Sequence, residues 1–74
     1  MLNEYYKLIG EETKRMVQAY ESKPKTTQDG YGGYMHLISI LTDYNIPIDI
    51  ACQLLIKCGG NVNGVTAARK CITL

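Results

Sequence analysis

Hydrophobic residues recur with a helical period near the start of the chain. In residues 2–21 they return every three or four positions, as on the buried stripe of an amphipathic helix. They are Leu2, Tyr5, Tyr6, Ile9, Met16, Val17 and Tyr20. Gly10 falls inside this pattern, and because glycine is unfavourable in a helix it indicates a bend or a close contact. The pattern predicts an amphipathic helix over 2–21.

The pattern stops in the next segment, 22–33, which reads SKPKTTQDGYGG. It contains one proline, three glycines and no aliphatic residue, and Asp29-Gly30 is a turn dipeptide. We therefore expect a mobile loop here, separating the first helix from a compact C-terminal part.

The helical period returns at Tyr34 and continues in three short runs. The first ends near Tyr44-Asn45, and the second begins after Pro47, a residue tolerated in a first helical turn. Gly59-Gly60 ends the second run, because glycine adopts the left-handed C-terminal conformation without steric cost. The inward-facing residues are Tyr34, Leu37, Ile38, Leu41, Ile50, Ala51, Leu54, Leu55 and Cys58.

The last run places Val65, Ala68, Cys71 and Ile72 inward, with Asn61 or Asn63 as the helix cap. Asn63-Gly64 is also a strong hairpin signal. The following AARK favours a helix instead. The chain is therefore predicted to be all-α and one domain over 1–74, with the N-terminal helix followed by a compact three-helix bundle over 34–74.

Composition and charge exclude several classes of protein and partner. Hydrophobic residues make up 46% of the 74 residues and charged residues 20%, as in an ordinary globular domain. A chain this short buries only about 60% of its unfolded surface, so a partner chain would add useful stability.

Eight basic and seven acidic residues give a net charge of +1, which disfavours nucleic acid and anionic membranes as partners. There is no apolar run long enough to span a membrane.

Three cysteines and one histidine are the only candidates for metal or nucleophile chemistry. Cys52, Cys58 and Cys71 form no CxxC pair, and His36 is far from them in sequence. A cysteine nucleophile needs a base beside it, and no motif supplies one. We expect buried, reduced thiols in a cytoplasmic protein, with no catalytic residue, no metal and no cofactor.

The C-terminal part has a familiar layout of small residues and turns. It contains Leu41, Tyr44-Asn45-Ile46, Ala51, Leu54-Leu55 and Gly60-Asn61-Val62. This layout is similar to the ubiquitin-associated (UBA) three-helix domain. The resemblance implies a three-helix fold with a docking loop at Tyr44, Asn45 and Ile46. The family has Met and Gly where Tyr44 and Asn45 stand, and prefers apolar residues where Arg69 and Lys70 fall.

Tyrosine supplies all of the aromatic surface, with six Tyr and no Phe or Trp. Tyrosine is enriched at interfaces because its ring is apolar and its tip is polar. The tyrosines are either half-buried core edges or contacts for a partner. Tyr31 and Tyr34 flank Gly32-Gly33, where a partner backbone could approach closely. The predicted contact residues are Tyr31, Tyr34, Tyr44, Asn45 and Ile46.

Together these observations predict a small non-enzymatic binding protein. It would act as an adaptor or inhibitor by covering a surface of a larger protein, or it would associate with a second copy of itself.

Two alternatives remain open. The last two helices could form a helix-turn-helix in a DNA-binding dimer. The contacts would then come from Asn61, Asn63, Thr66, Arg69 and Lys70. The second alternative is an oligomer that binds a small ligand, such as a nucleotide, which would stack on the tyrosine rings.

Overall fold

The computed structural model describes residues 2–22 and 32–73, which form four α-helices and contain no strand. They are α1 (Leu2–Ser22), α2 (Gly32–Asp43), α3 (Ile48–Lys57) and α4 (Val62–Thr73). The predicted all-α class is confirmed. Most of the predicted loop lies outside the described residues. None of the four helices is long and apolar enough to cross a membrane.

The start of the second helix differs from the prediction. The second helix already begins at Gly32, so Gly32 and Gly33 are helical rather than part of a loop. Gly33 packs so closely against the ring of Tyr20 that a side chain would have no room there. This tertiary contact outweighs the low helix propensity of glycine.

The hairpin alternative at Asn63-Gly64 is wrong, because both residues lie inside α4. The side-chain Oδ1 of Asn61 accepts a hydrogen bond from the backbone N–H of Gly64 at 2.8 Å. Asn61 thus caps the helix and satisfies one of the backbone donors that its first turn leaves free.

Tight turns join the last three helices. Between α2 and α3, Asn45 has a positive φ of 67°, and its N–H donates to the carbonyl of Thr42 at 2.9 Å. Between α3 and α4, Gly59 has a φ of 102°, and the N–H of Gly60 donates to the carbonyl of Leu55 at 2.8 Å. The predicted helix stop at Gly59-Gly60 is confirmed.

The core lies where α2, α3 and α4 pack against one another, and α1 covers α3 and part of α2. Gly10, Thr13 and Val17 form the buried face of α1. The hydroxyl of Thr13 donates to the carbonyl of Ile9 at 2.8 Å, so this buried polar group is satisfied. The other buried core residues are Tyr34, Leu37, Ile38, Leu41, Ile46, Ala51, Cys52, Leu54, Leu55, Cys58, Val65 and Ala68.

The close contact predicted at Gly10 is confirmed. The Sγ of Cys58 donates to the carbonyl of Gly10 at 3.7 Å, which joins the middle of α1 to the end of α3. Beside it, the ammonium groups of Lys14 and Lys57 lie 5.4 and 4.9 Å from the centre of the Tyr6 ring. The Lys14 contact lies within α1, whereas the Cys58–Gly10 and Lys57–Tyr6 contacts join α1 to the end of α3.

Candidate functional site

Tyr34 belongs to the core and not to a contact surface. It is only 1% exposed, and its ring meets that of Tyr20 edge-on at 4.8 Å between centres. Its hydroxyl donates to Glu21 Oε2 at 3.1 Å and accepts from the N–H of Asn61 at 2.8 Å. The prediction that Tyr34 contacts a partner is therefore wrong, because this chain itself uses the ring and the hydroxyl.

Ile46 requires the same correction. It is 4% exposed and packs into the core beneath the α2–α3 turn, so a partner cannot reach it. Tyr31, the other residue of the predicted tyrosine pair, lies outside the described residues.

Tyr44 and Asn45 are the predicted contact residues that the structure places at the surface. Tyr44 is 68% exposed, the highest exposed fraction of any aromatic side chain among the described residues. Its backbone N–H donates to the carbonyl of Leu41 at 3.1 Å, and buried Ile46 anchors the other side of the turn. The ring is thus exposed on a turn whose backbone is anchored on both sides.

The end of α4 lies at the same end of the bundle as this turn. Arg69 forms an ion pair with Asp49, which places the last turns of α4 beside the start of α3. Lys70 is exposed there and Ile72 is 37% exposed. Tyr44 and Asn45 are called the Tyr44 surface below; Lys70 and Ile72, two residues apart on α4, point to different sides of that helix and are not part of it.

The predicted DNA contacts are only partly available. Asn63, Thr66 and Lys70 are exposed on α4, which contains no acidic residue. The side chain of Asn61 is occupied in capping α4, and Arg69 is paired with Asp49. The acidic partner reduces the positive potential that Arg69 could offer to phosphate.

An open groove of about 340 Å³ lies between α1 and α2. Its lining residues are Met16, Ala19, Tyr20, Gly33, His36, Leu37 and Ile40. Among the residues that the structure describes, the lining is mostly apolar and contains no lysine or arginine. No pattern in the sequence predicts this groove, because helical periodicity does not specify the angle between α1 and α2.

The cysteines are free thiols, with Cys52 and Cys58 buried and Cys71 half-buried. Burial raises the pKa of both Cys52 and Cys58, which favours the protonated thiol. That shift is the reverse of what a thiolate nucleophile needs. Among the described residues, no group of three His, Cys, Asp or Glu side chains is placed to hold a metal ion.

Comparison with protein-family models, with curated proteins and with solved structures finds no match to this chain. Function is therefore inferred from the surfaces that the helices expose.

Proposed function

We propose that this chain is a small non-enzymatic protein-binding module that acts in the cytoplasm as an adaptor or inhibitor. It would cover a surface of a larger protein with the Tyr44 surface. The observation that carries the proposal is the exposure of Tyr44, at 68%, on a turn whose backbone is fixed by hydrogen bonds.

A tyrosine held in this way suits a binding contact. Tyrosine is among the side chains that dominate binding energy at interfaces, since its ring buries a large area and its hydroxyl forms hydrogen bonds. The fixed turn lowers the ordering cost of binding, because little backbone freedom remains to be lost.

The resemblance to the UBA domain supports the same surface. The resemblance implies three short helices joined by two tight turns, and the support for it here is that tight turns join α2, α3 and α4. Its docking loop corresponds to Tyr44 and Asn45, while Ile46 would support the loop from the core. Purified ubiquitin is therefore the first partner to test.

The test combines a defined probe with an unbiased one. Isotope-labelled protein is titrated with purified ubiquitin, and amide shifts are followed by NMR. In parallel, a photo-crosslinking amino acid at the neighbouring exposed position 43, which leaves Tyr44 intact, captures partners, and each captured protein is then purified for affinity measurement. We expect Tyr44→Ala to weaken the affinity for the partner at least about tenfold, as for an aromatic hot spot.

Gln53→Ala on the exposed face of α3 is the matched control, and it should leave the affinity unchanged. Far-ultraviolet circular dichroism should show the same helicity for both variants. Equal affinities of wild-type protein and Tyr44→Ala for the purified partner would contradict the proposal.

The exposed, acid-free α4 supports DNA binding as a second candidate function. In that case Lys70→Ala should weaken binding to duplex DNA and reduce its salt dependence, while Tyr44→Ala should have no effect. An affinity that does not change with salt concentration would count against DNA binding.

A further inference from the structure

The outer face of α1 has a regular stripe that no other part of the described chain covers. Leu8, Glu12, Arg15 and Ala19 follow one another at spacings of four, three and four residues, and all four are exposed. They lie on the side of α1 opposite its buried residues Gly10, Thr13 and Val17. Alternating spacings of three and four residues are those of a seam between paired helices.

The stripe is complementary to itself in an antiparallel arrangement. Consider two α1 helices related by a two-fold axis that passes between residues 13 and 14. Each Leu8 then faces the partner's Ala19, and each Glu12 faces the partner's Arg15. Such a contact is isologous, because the same surface is used by both copies.

The charges of Glu12 and Arg15 favour the antiparallel arrangement over a parallel one. Glu12 and Arg15 are exposed, and neither forms an ion pair in the described part of the chain. Glu11, which the sequence places within reach of Arg15, pairs instead with Lys14 at 3.9 Å. A parallel, in-register alignment would oppose Glu12 to Glu12 and Arg15 to Arg15, so the charges favour the antiparallel pairing.

The apolar residues of the stripe fit the same arrangement. Leu8 is 73% exposed, the most exposed large hydrophobic side chain among the described residues. Ala19 belongs both to the stripe and to the wall of the groove between α1 and α2. Because alanine is small, the partner's Leu8 can enter the mouth of the groove beside Met16.

We propose that two copies of this chain form an antiparallel dimer through α1, with reciprocal Glu12–Arg15 pairs and each Leu8 seated in the groove of the other copy. This interface lies apart from the Tyr44 surface, so it adds to the proposed function and does not depend on it. The apolar contact is small, so the dimer should form only in the high micromolar range and exchange rapidly.

The test uses charge reversal and sedimentation equilibrium on the full chain. Wild-type protein should shift from 8.3 kDa towards twice that mass as its concentration rises from micromolar to submillimolar. Glu12→Arg and Arg15→Glu should each weaken dimerisation at least about tenfold, because like charges then meet across the axis. An equimolar mixture of the two variants should dimerise, because residue 12 of each variant then faces an opposite charge at residue 15 of the other.

The mixture distinguishes repulsion across the interface from a change within the variant helix itself. Each variant has the same charges within its own helix whether it is alone or mixed, so only the contacts between the two copies change. Leu8→Gln is a further variant at an exposed position and should weaken the dimer without unfolding the monomer. Gln53→Arg on α3 is the matched control and should dimerise as the wild type does. A wild-type mass of 8.3 kDa at every concentration, or a mixture that stays monomeric, would overturn the proposal.

Discussion

The backbone N–H of Asn61 donates a hydrogen bond of 2.8 Å to the hydroxyl of Tyr34, 27 residues earlier in the chain. The same hydroxyl donates to Glu21 at 3.1 Å. A single oxygen therefore joins the start of α4, the start of α2 and the end of α1. A buried hydroxyl with both partners in place strengthens the packing around it.

Removal of that hydroxyl should destabilise the protein without changing its shape. We expect Tyr34→Phe to lower the free energy of unfolding by about 1 to 2 kcal/mol, because two hydrogen bonds are lost and the N–H of Asn61 is left without its acceptor. Urea unfolding followed by circular dichroism measures the change. Tyr44→Phe is the control and should not shift the midpoint, since Tyr44 is exposed. Equal midpoints for wild-type protein and Tyr34→Phe would show that the hydroxyl adds nothing.

The turn before α4 should tolerate no side chain at Gly60. A Cβ there would lie 2.7 Å from the carbonyl oxygen of Leu55, a backbone atom that cannot rotate away. Gly60→Ala should therefore cost about 1 to 3 kcal/mol, as overpacked substitutions do. Gln53→Ala, at an exposed helical position, should stay within about 0.5 kcal/mol of the wild type. Thermal unfolding of the two variants checks the difference, and a neutral Gly60→Ala would show that the turn readily rearranges.

The three thiols should differ in reactivity. Cys52 and Cys58 are buried with raised pKa values, whereas Cys71 is half-buried near the end of α4. Iodoacetamide should label Cys71 at least about tenfold faster than the other two in the folded protein, because they must wait for local opening. Peptide mass spectrometry over time measures the three rates. Addition of urea should make the rates similar, and equal rates in the folded state would contradict the burial of Cys52 and Cys58.

Stability should fall at alkaline pH in part because of the same thiols. Burial raises the pKa of Cys58 in the folded state, so the unfolded chain loses its thiol proton first as the pH rises. The contribution is fully present below the pKa of the thiol in the unfolded chain and is lost as the pH rises through its higher pKa in the folded state. Urea unfolding from about pH 7 to 10 should therefore show a steeper decline for wild-type protein than for Cys58→Ala. Parallel curves would mean that the thiol is not linked to folding.

The ion pair between Arg69 and Asp49 should contribute little to stability. Their side chains are 44% and 62% exposed, so water screens the attraction. A double-mutant cycle with Arg69→Ala and Asp49→Ala should give a coupling energy below about 1 kcal/mol, decreasing with added salt. A larger coupling would mean that the pair fixes the position of α4 and not only its surface charge.

The sequence did not predict which tyrosines are buried and which are exposed. Tyr34 and Tyr44 are both aromatic residues near the ends of α2, and their local patterns do not distinguish a core position from a surface position. Tyr34 becomes buried because Tyr20 and Glu21 of α1 and Asn61 before α4 all meet it. Such contacts between residues distant in the chain leave no local signature.

Apart from the start of α2, the positions of the helices followed from the sequence alone, because each depends on residues a few places apart. Hydrophobic spacing located α1 and α3, the glycines at 59 and 60 ended α3, and Asn61 marked the start of α4. The tertiary structure decided which faces were left exposed, and therefore where Tyr44 and the stripe on α1 stand. Exposure depends on the angles at which helices cross, and these are set by side-chain packing between distant segments rather than by local periodicity.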